Sequence, residues 1–301
     1  MKRSGVLFLA AVPVVATAAA YFLVSPDSGE APARPRVSSA QEAREEAKDR
    51  AEHERAADDK VIAGLPAGLA DPAKKELAQR ILASAQQSTL DWRSLYGSIE
   101  DLGDGRGYTA GVVGFCTGTH DLLALVERYT EEHPGNGLAR YLPALRKVDG
   151  TDSHEGLDPG FTAAWQAEAE LPAFRAAQEE ERDRVYFDPA VRLAKLDGLG
   201  TLGQFVYYDA LVFHGPDTHP HGFYGLRERV LRTAKTPAAG GSEKAYLAAF
   251  LDVRRAVMTD RHPGADTSRI DTAQRRFLDE GNLELRTPLV WQTYGDTFRV
   301  P

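Results

Sequence analysis

Apolar residues recur at four-residue steps along most of the chain. In DPAKKELAQRILASAQQ, Leu77, Ile81 and Ala85 line one face, Asp71 is placed to cap the N-terminus and Pro72 opens the first turn. That spacing predicts a helix over residues 72–87. HDLLALVERYTEE, FTAAWQAEAELPAFRAAQEEERDRVY, PAVRLAKLDGLGTLGQFVYYDALVFHG, GLRERVLRTAK, SEKAYLAAFLDVRRAVM and TSRIDTAQRRFLDEG continue the period between Gly and Pro breaks. Pro172 is expected to kink or split the second of these, since it lacks an N–H and its ring crowds the preceding turn. Strand-like alternation is confined to pieces such as GYTAGVVGF. The expected fold is mainly α, with a small β element and no internal repeat.

Residues 1–24 have another character: MKR, then an apolar run from Gly5 to Val24. It reads as a signal peptide or an N-terminal membrane anchor, with small residues at 16–20 suited to cleavage and a run near spanning length. The positive charges ahead of it place the following body outside the cytoplasm. Residues 25–60 begin rich in Pro, Ser and Ala and continue as QEAREEAKDRAEHERAADDK, with no apolar stripe to bury. This is expected to be a charged linker, disordered or a solvated helix held by pairs four residues apart. The folded body is expected at residues 61–301, beginning near Leu65.

A formal charge of -8 without a dense Lys/Arg run argues against a nucleic-acid surface and suits a cationic partner. The lone Cys116 excludes an intramolecular disulfide and every multi-cysteine zinc pattern. Lying in GVVGFC, it is expected to be a buried thiol.

The densest chemistry lies in SIEDLGDGRGYT, where Glu100, Asp101 and Asp104 alternate with Gly103, Gly105 and Gly107. An EF-hand fails, because glycines occupy the positions that should carry oxygen ligands. A dinucleotide loop fails because GDGRGY lacks the final glycine and follows a helix-like segment. Two readings stay open: a purely structural turn, or a loop holding Asp104 and Arg106 at a cleft edge. Inverting glycoside hydrolysis needs two carboxyl groups roughly 6.5 to 9.5 Å apart. The helix of residues 72–87 and the loop at Asp104 are suited to form the two walls of such a gap.

STLDW, IEDLGDGRGYT, GFCTGTHD, RYLPAL, ERDRVYFDPAV, LGQFVYYDA, HGP, KTPAAGG, FLDVRRA, DTSRIDT and TYGD, in that order, closely resemble the glycoside hydrolase family 46 chitosanases. The resemblance spans about Gly68 to Asp296. It implies a lysozyme-like α+β fold in which two helical lobes and a small β element flank a substrate cleft. It also implies secreted, inverting endo-hydrolysis of β-1,4-linked glucosamine in chitosan, with neither metal nor cofactor. A monomer is expected, outside the cell or anchored to the outer face of its membrane. By the same resemblance Asp104 is the general base, Thr109 places the attacking water, and Arg106 and Asp121 bind sugar. Asp209, Arg254 and Arg269 then form an ion network that supports the general acid.

Two departures from the family pattern stand out. The general-acid glutamate of its S-A-E segment falls, without a gap, on Gln86 of SAQQSTLDW. An amide cannot release a proton to a glycosidic oxygen, although it keeps nearly the same shape. Glu76 lies ten residues back, about 15 Å along a helix, leaving Glu100 and Asp101 as the nearer substitutes. Ahead of DTSR, where the family carries acids that hold glucosamine amines, this chain has Arg261 and Ala265, with Asp260 and Asp266 close by. Three functions follow as expectations: a weakened chitosanase, a non-catalytic glycan-binding protein at the cell surface, or a structural protein with an unused cleft. His214, His219 and His221 are expected in a polar surface loop and His120 on the surface near Asp121. The aromatics of FVYYDALVF are expected in the core, and Trp92, Trp165 and Trp291 are too scattered for a sugar-stacking row.

Overall fold

The computed structural model describes residues 37–301; residues 1–36, which contain the expected leader, lie outside the described residues. The chain divides into two compact units at His53/Glu54. In the first, the described backbone is the N-terminal part of helix α1 (Val37–Ala63), exposed from residue 44 onward. In the second, α1 ends beside the body, where Arg192 pairs with Asp58 (3.2 Å) and Asp59. The charged linker is therefore helical in its second half and continues past residue 60. Among the described residues no helix is long and apolar enough to cross a membrane.

The expected first body helix is α2 (Pro72–Gln87). Asp71 accepts hydrogen bonds from the N–H groups of Ala73 and Lys74, Pro72 fills the first turn, and Leu77, Ile81 and Ala85 are buried. Three short strands follow, β1 (Ile99–Asp101), β2 (Tyr108–Ala110) and β3 (Phe115–Cys116). They form one antiparallel sheet in which Glu100 faces Thr109 and Thr109 faces Cys116. The chain then runs through α3 (Asp121–Glu132), α4 (Leu142–Val148) and α5 (Phe161–Glu168). Pro172 does split the predicted helix: α6 (Pro172–Arg182) starts at its ring and passes through a π-turn into α7 (Asp188–Leu196).

Gly198, with φ +77°, ends α7 and separates it from α8 (Thr201–His214), which the sequence pattern had joined to it. Helix α8 is apolar nearly all round. Leu202, Phe205, Val206, Tyr207, Tyr208, Ala210 and Leu211 have no exposed surface, so it forms the axis of the core. Helices α9 (Phe223–Leu231) and α10 (Glu243–Arg261) pack beside it, and a π-turn at Arg269–Gln274 leads into α11 (Arg275–Asp279). A hairpin the sequence pattern did not predict, β4 (Leu289–Thr293) and β5 (Asp296–Val300), completes the chain. The fold is mainly α with small antiparallel sheets, as expected. Trp92, Trp165 and Trp291 are all core residues.

Candidate active site

Where the end of α2 meets the β2–β3 turn there is a cavity of about 160 Å³, lined in part by Gln86, Arg106, Thr109, Phe213, Arg269 and Tyr294. No Asp or Glu occurs among the described residues lining it. Gln86 donates from Nε2 to the Val113 carbonyl at 2.9 Å, while its buried Oε1 has no partner. Because Val113 O can only accept, this contact assigns the amide orientation. A buried acceptor without a donor costs on the order of 1–3 kcal/mol. The β2–β3 turn that supplies Val113 is tight, and Gly114, at φ +75°, lies beneath Thr109. A Cβ there would stand 3.1 Å from the Thr109 methyl group.

On the acidic loop, Asp104 does not itself line this cavity but is held by Arg106, which does. Arg106 grips its carboxylate through Nε (2.8 Å) and Nη2 (2.7 Å), and the Arg106 N–H reaches Oδ1 at 3.1 Å. Partial burial pushes the Asp104 carboxyl up, but the Arg106 contacts outweigh it and hold the group below its ordinary value. The loop is braced from behind by His154, which stacks on Tyr108 with centroids 4.0 Å apart. Its ring nitrogens lie 3.1 Å from Asp101 and 3.3 Å from Asp158.

Thr109 has its oxygen 3.3 Å from Cys116 Sγ, and that thiol donates to the Gly114 carbonyl at 3.1 Å. Burial pushes the Cys116 thiol up, so it keeps its hydrogen. With the thiol hydrogen committed to Gly114, the Thr109 hydroxyl is the donor to sulfur, and its lone pairs remain free to accept.

Asp121 is 8% exposed and already holds four donors: the N–H groups of Cys116 and Leu122 and the hydroxyls of Thr119 and Tyr186. Burial pushes its carboxyl up against those donors. Here it fastens β3 to the start of α3. Asp209 lies deeper still, on α8. It pairs with Arg254 at 2.6 Å, lies 3.7 Å from Arg269, and accepts from Gln274 Nε2 at 2.7 Å. Burial pushes the Asp209 carboxyl up; Arg269 and Arg254 outweigh it and lower it. Arg269 links this network to the cavity by donating to the Ala85 carbonyl at 2.7 Å, one residue before Gln86, while stacking 4.5 Å from the Phe213 ring.

His214 is a correction to the sequence reading. It is not in the surface loop with His219 and His221 but is the last residue of α8, buried and accepting from Arg254 Nε at 3.2 Å. Phe213 corrects the expectation that the aromatics of FVYYDALVF lie in the core, being 41% exposed and lining the cavity, and Gln274 and Tyr294 were missed. His120 is on the surface, against Asp149. Of the nearer substitutes for a general acid, Glu100 accepts from Gln87 at 3.2 Å and Asp101 faces His154. Glu76 is enclosed by Arg80, Arg93 and Trp92.

The model of glycosyl hydrolase family 46 matches residues 80–289. The chain belongs to glycosyl hydrolase family 46. A chitosanase of Streptomyces sp. strain N174 is 56% identical over 232 residues, covering 77% of this chain and 84% of that protein. A chitosanase of Bacillus subtilis strain 168 is 36% identical over 225 residues, 72% of this chain and 80% of that protein. Among solved structures, the co-crystal of chitosanase OU01 with substrate has a TM-score of 0.77 at 50% identity, covering 79% of this chain and 100% of that one.

In this family 46 chain, the end of α2 is held in place by the C-terminal hairpin. Trp291 Nε1 donates to Ser84 Oγ at 2.8 Å, Thr293 Oγ1 to the Ser84 carbonyl at 2.8 Å, and Tyr294 Oη to the Ala85 carbonyl at 3.1 Å. Thr293 and Tyr294, with Arg269, satisfy carbonyls at the end of α2 that the helix itself leaves unpaired, and Trp291 holds the Ser84 hydroxyl. Replacing Thr293 with Val strands the buried Ser84 carbonyl. We expect a loss of about 1–3 kcal/mol in urea unfolding, and an unchanged midpoint would show that the clamp contributes nothing.

Proposed function

We propose that the chain binds chitosan, a cationic glucosamine polymer, in this cleft, and that it is an inverting chitosanase whose turnover is reduced by Gln86. Asp104 is the base that takes a proton from water, Thr109 holds that water, and Arg106 orients Asp104. The observation that carries this reading is Gln86 in one cavity lining with Thr109 and Arg106, the residue that grips Asp104. Thr109 lines the cavity and Arg106 links Asp104 to it, while the residue at the general-acid position carries an amide in place of a proton donor. Loss of a positioned general acid commonly lowers rates by ~10²- to 10⁴-fold.

Binding without turnover is the second reading, and the same lining favours it. Arg261, exposed at the end of α10 and without an ion pair among the described residues, stands where the resemblance expects an acid. It disfavours a protonated amine there and narrows the range of chains that bind. Titration with glucosamine hexamer by calorimetry, alongside reducing-end release from chitosan, tests both readings. We expect measurable binding with slow release. Fast release would overturn the weakening, and neither binding nor release would remove the cleft from service. Export of the body, with the leader as signal or anchor, belongs to the same proposal and rests on the apolar run at residues 5–24.

A further inference from the structure

The groups that prepare the water are separate from residue 86. Arg106 keeps Asp104 ionised, and the Cys116 to Gly114 contact turns the Thr109 hydroxyl hydrogen away from the cavity. A water that donates one hydrogen to Asp104 and the other to Thr109 has its lone pair left for carbon. Gln86, pinned to the Val113 carbonyl, lines the cavity with nearly the shape of a glutamate. The chemistry missing is confined to one event, protonation of the departing oxygen.

We infer that the chain hydrolyses β-linked glucosaminides whose leaving group departs as a stable anion without needing a proton. This rests on the proposed reading that Asp104 and Thr109 serve a water while Gln86 cannot serve the leaving group. The simplest member of the class is a β-glucosaminyl fluoride, because fluoride is small and demands nothing of the neighbouring sugar site. Water oxygen bonds to C1 from the face opposite fluorine as the C1–F bond breaks. Its electron pair leaves with fluoride, and the water proton passes to Asp104 and then to solvent. Inversion makes the first product the α-hemiacetal. With a polymer, the departing sugar oxygen is a strongly basic alkoxide, and the same water attack stalls without a donor.

The test uses the β-fluoride of a glucosamine disaccharide with the natural protein, Gln86→Glu and Asp104→Asn, each checked for native circular dichroism. Fluoride release is followed by electrode and product anomer by proton NMR. We expect natural protein and Gln86→Glu to release fluoride at rates within about tenfold, while their rates on chitosan differ by ~10²-fold or more. Asp104→Asn should lower fluoride release by ~10²- to 10⁴-fold, and the α-anomer should appear first. Release at the buffer rate by the natural protein, or release indifferent to Asp104→Asn, overturns the inference. If Gln86→Glu cuts chitosan while the fluoride stays intact in the natural protein, this inference falls alone. If the natural protein cuts chitosan as fast as Gln86→Glu, the proposed reading falls and takes the inference with it.

Discussion

Gln86→Glu is expected to raise reducing-end release from chitosan by roughly 10²- to 10⁴-fold, the usual worth of a positioned general acid. The surroundings of residue 86 suit a carboxylic acid. The Val113 carbonyl, 2.9 Å from Gln86 Nε2, would accept from an acid O–H but repel a carboxylate oxygen, and the other oxygen position is buried without a donor. Both features favour the protonated form and raise the pKa of a glutamate there. The opposing charges in the cavity lining are Arg269, committed to Ala85 and Asp209, and Arg106, committed to Asp104. The variant should therefore lose activity on the alkaline side as the raised group ionises. On the acid side it should lose activity only below the lowered value of Asp104, giving a broad pH plateau between them. A variant that folds but gains less than tenfold would show that the cleft has lost more than its proton donor.

The second large effect concerns stability. Asp209→Asn leaves Arg254 and Arg269 buried without their carboxylate, and breaking such a pair typically costs about 3–5 kcal/mol. Asp209 is depressed in the fold, so its stabilisation is complete above the ordinary carboxylate range and disappears as pH falls through the lowered folded value. His214 acts at milder pH. Burial first, then Arg254 and Arg269, lower it well below its ordinary 6.5. Below about 6.5 the unfolded imidazole takes up a proton that the folded one refuses. Stability should then decline with falling pH at up to about 1.4 kcal/mol per unit. Urea unfolding at pH 7 and pH 5 measures this slope, and His214→Gln should flatten it. An equal slope in wild type and variant would mean that His214 is not the group responsible.

The elements that the sequence announced were those with local signals. Asp71 and Pro72 start α2, Pro172 cuts one helical run, and the largely apolar surface of α8 places that helix in the core. What it concealed depends on distant partners. LVWQTYGDTFRV is a hairpin with only its own two strands, and its value lies in contacts to Ser84 and Ala85 that no local pattern encodes. HGPDTHPH reads as polar loop throughout, yet α8 extends one residue into it and buries His214 against Arg254. The π-turn that brings Arg269 and Gln274 toward Asp209 likewise has no sequence signature. Asp104 and Arg106 drew attention as candidates because they share one short Gly-rich acidic segment, and Thr109 only through the family likeness. The amide at residue 86 stood out only because the surrounding letters fit a family.

The hold of Trp291, Thr293 and Tyr294 on the end of α2 spans 207 to 209 residues of sequence. Contacts so remote in sequence form late, after the intervening loops have closed. A growing polypeptide thus carries the end of α2 long before the hairpin of β4 and β5 clamps Ser84 and Ala85, and the groove acquires its final shape only when that hairpin has been made and has folded back.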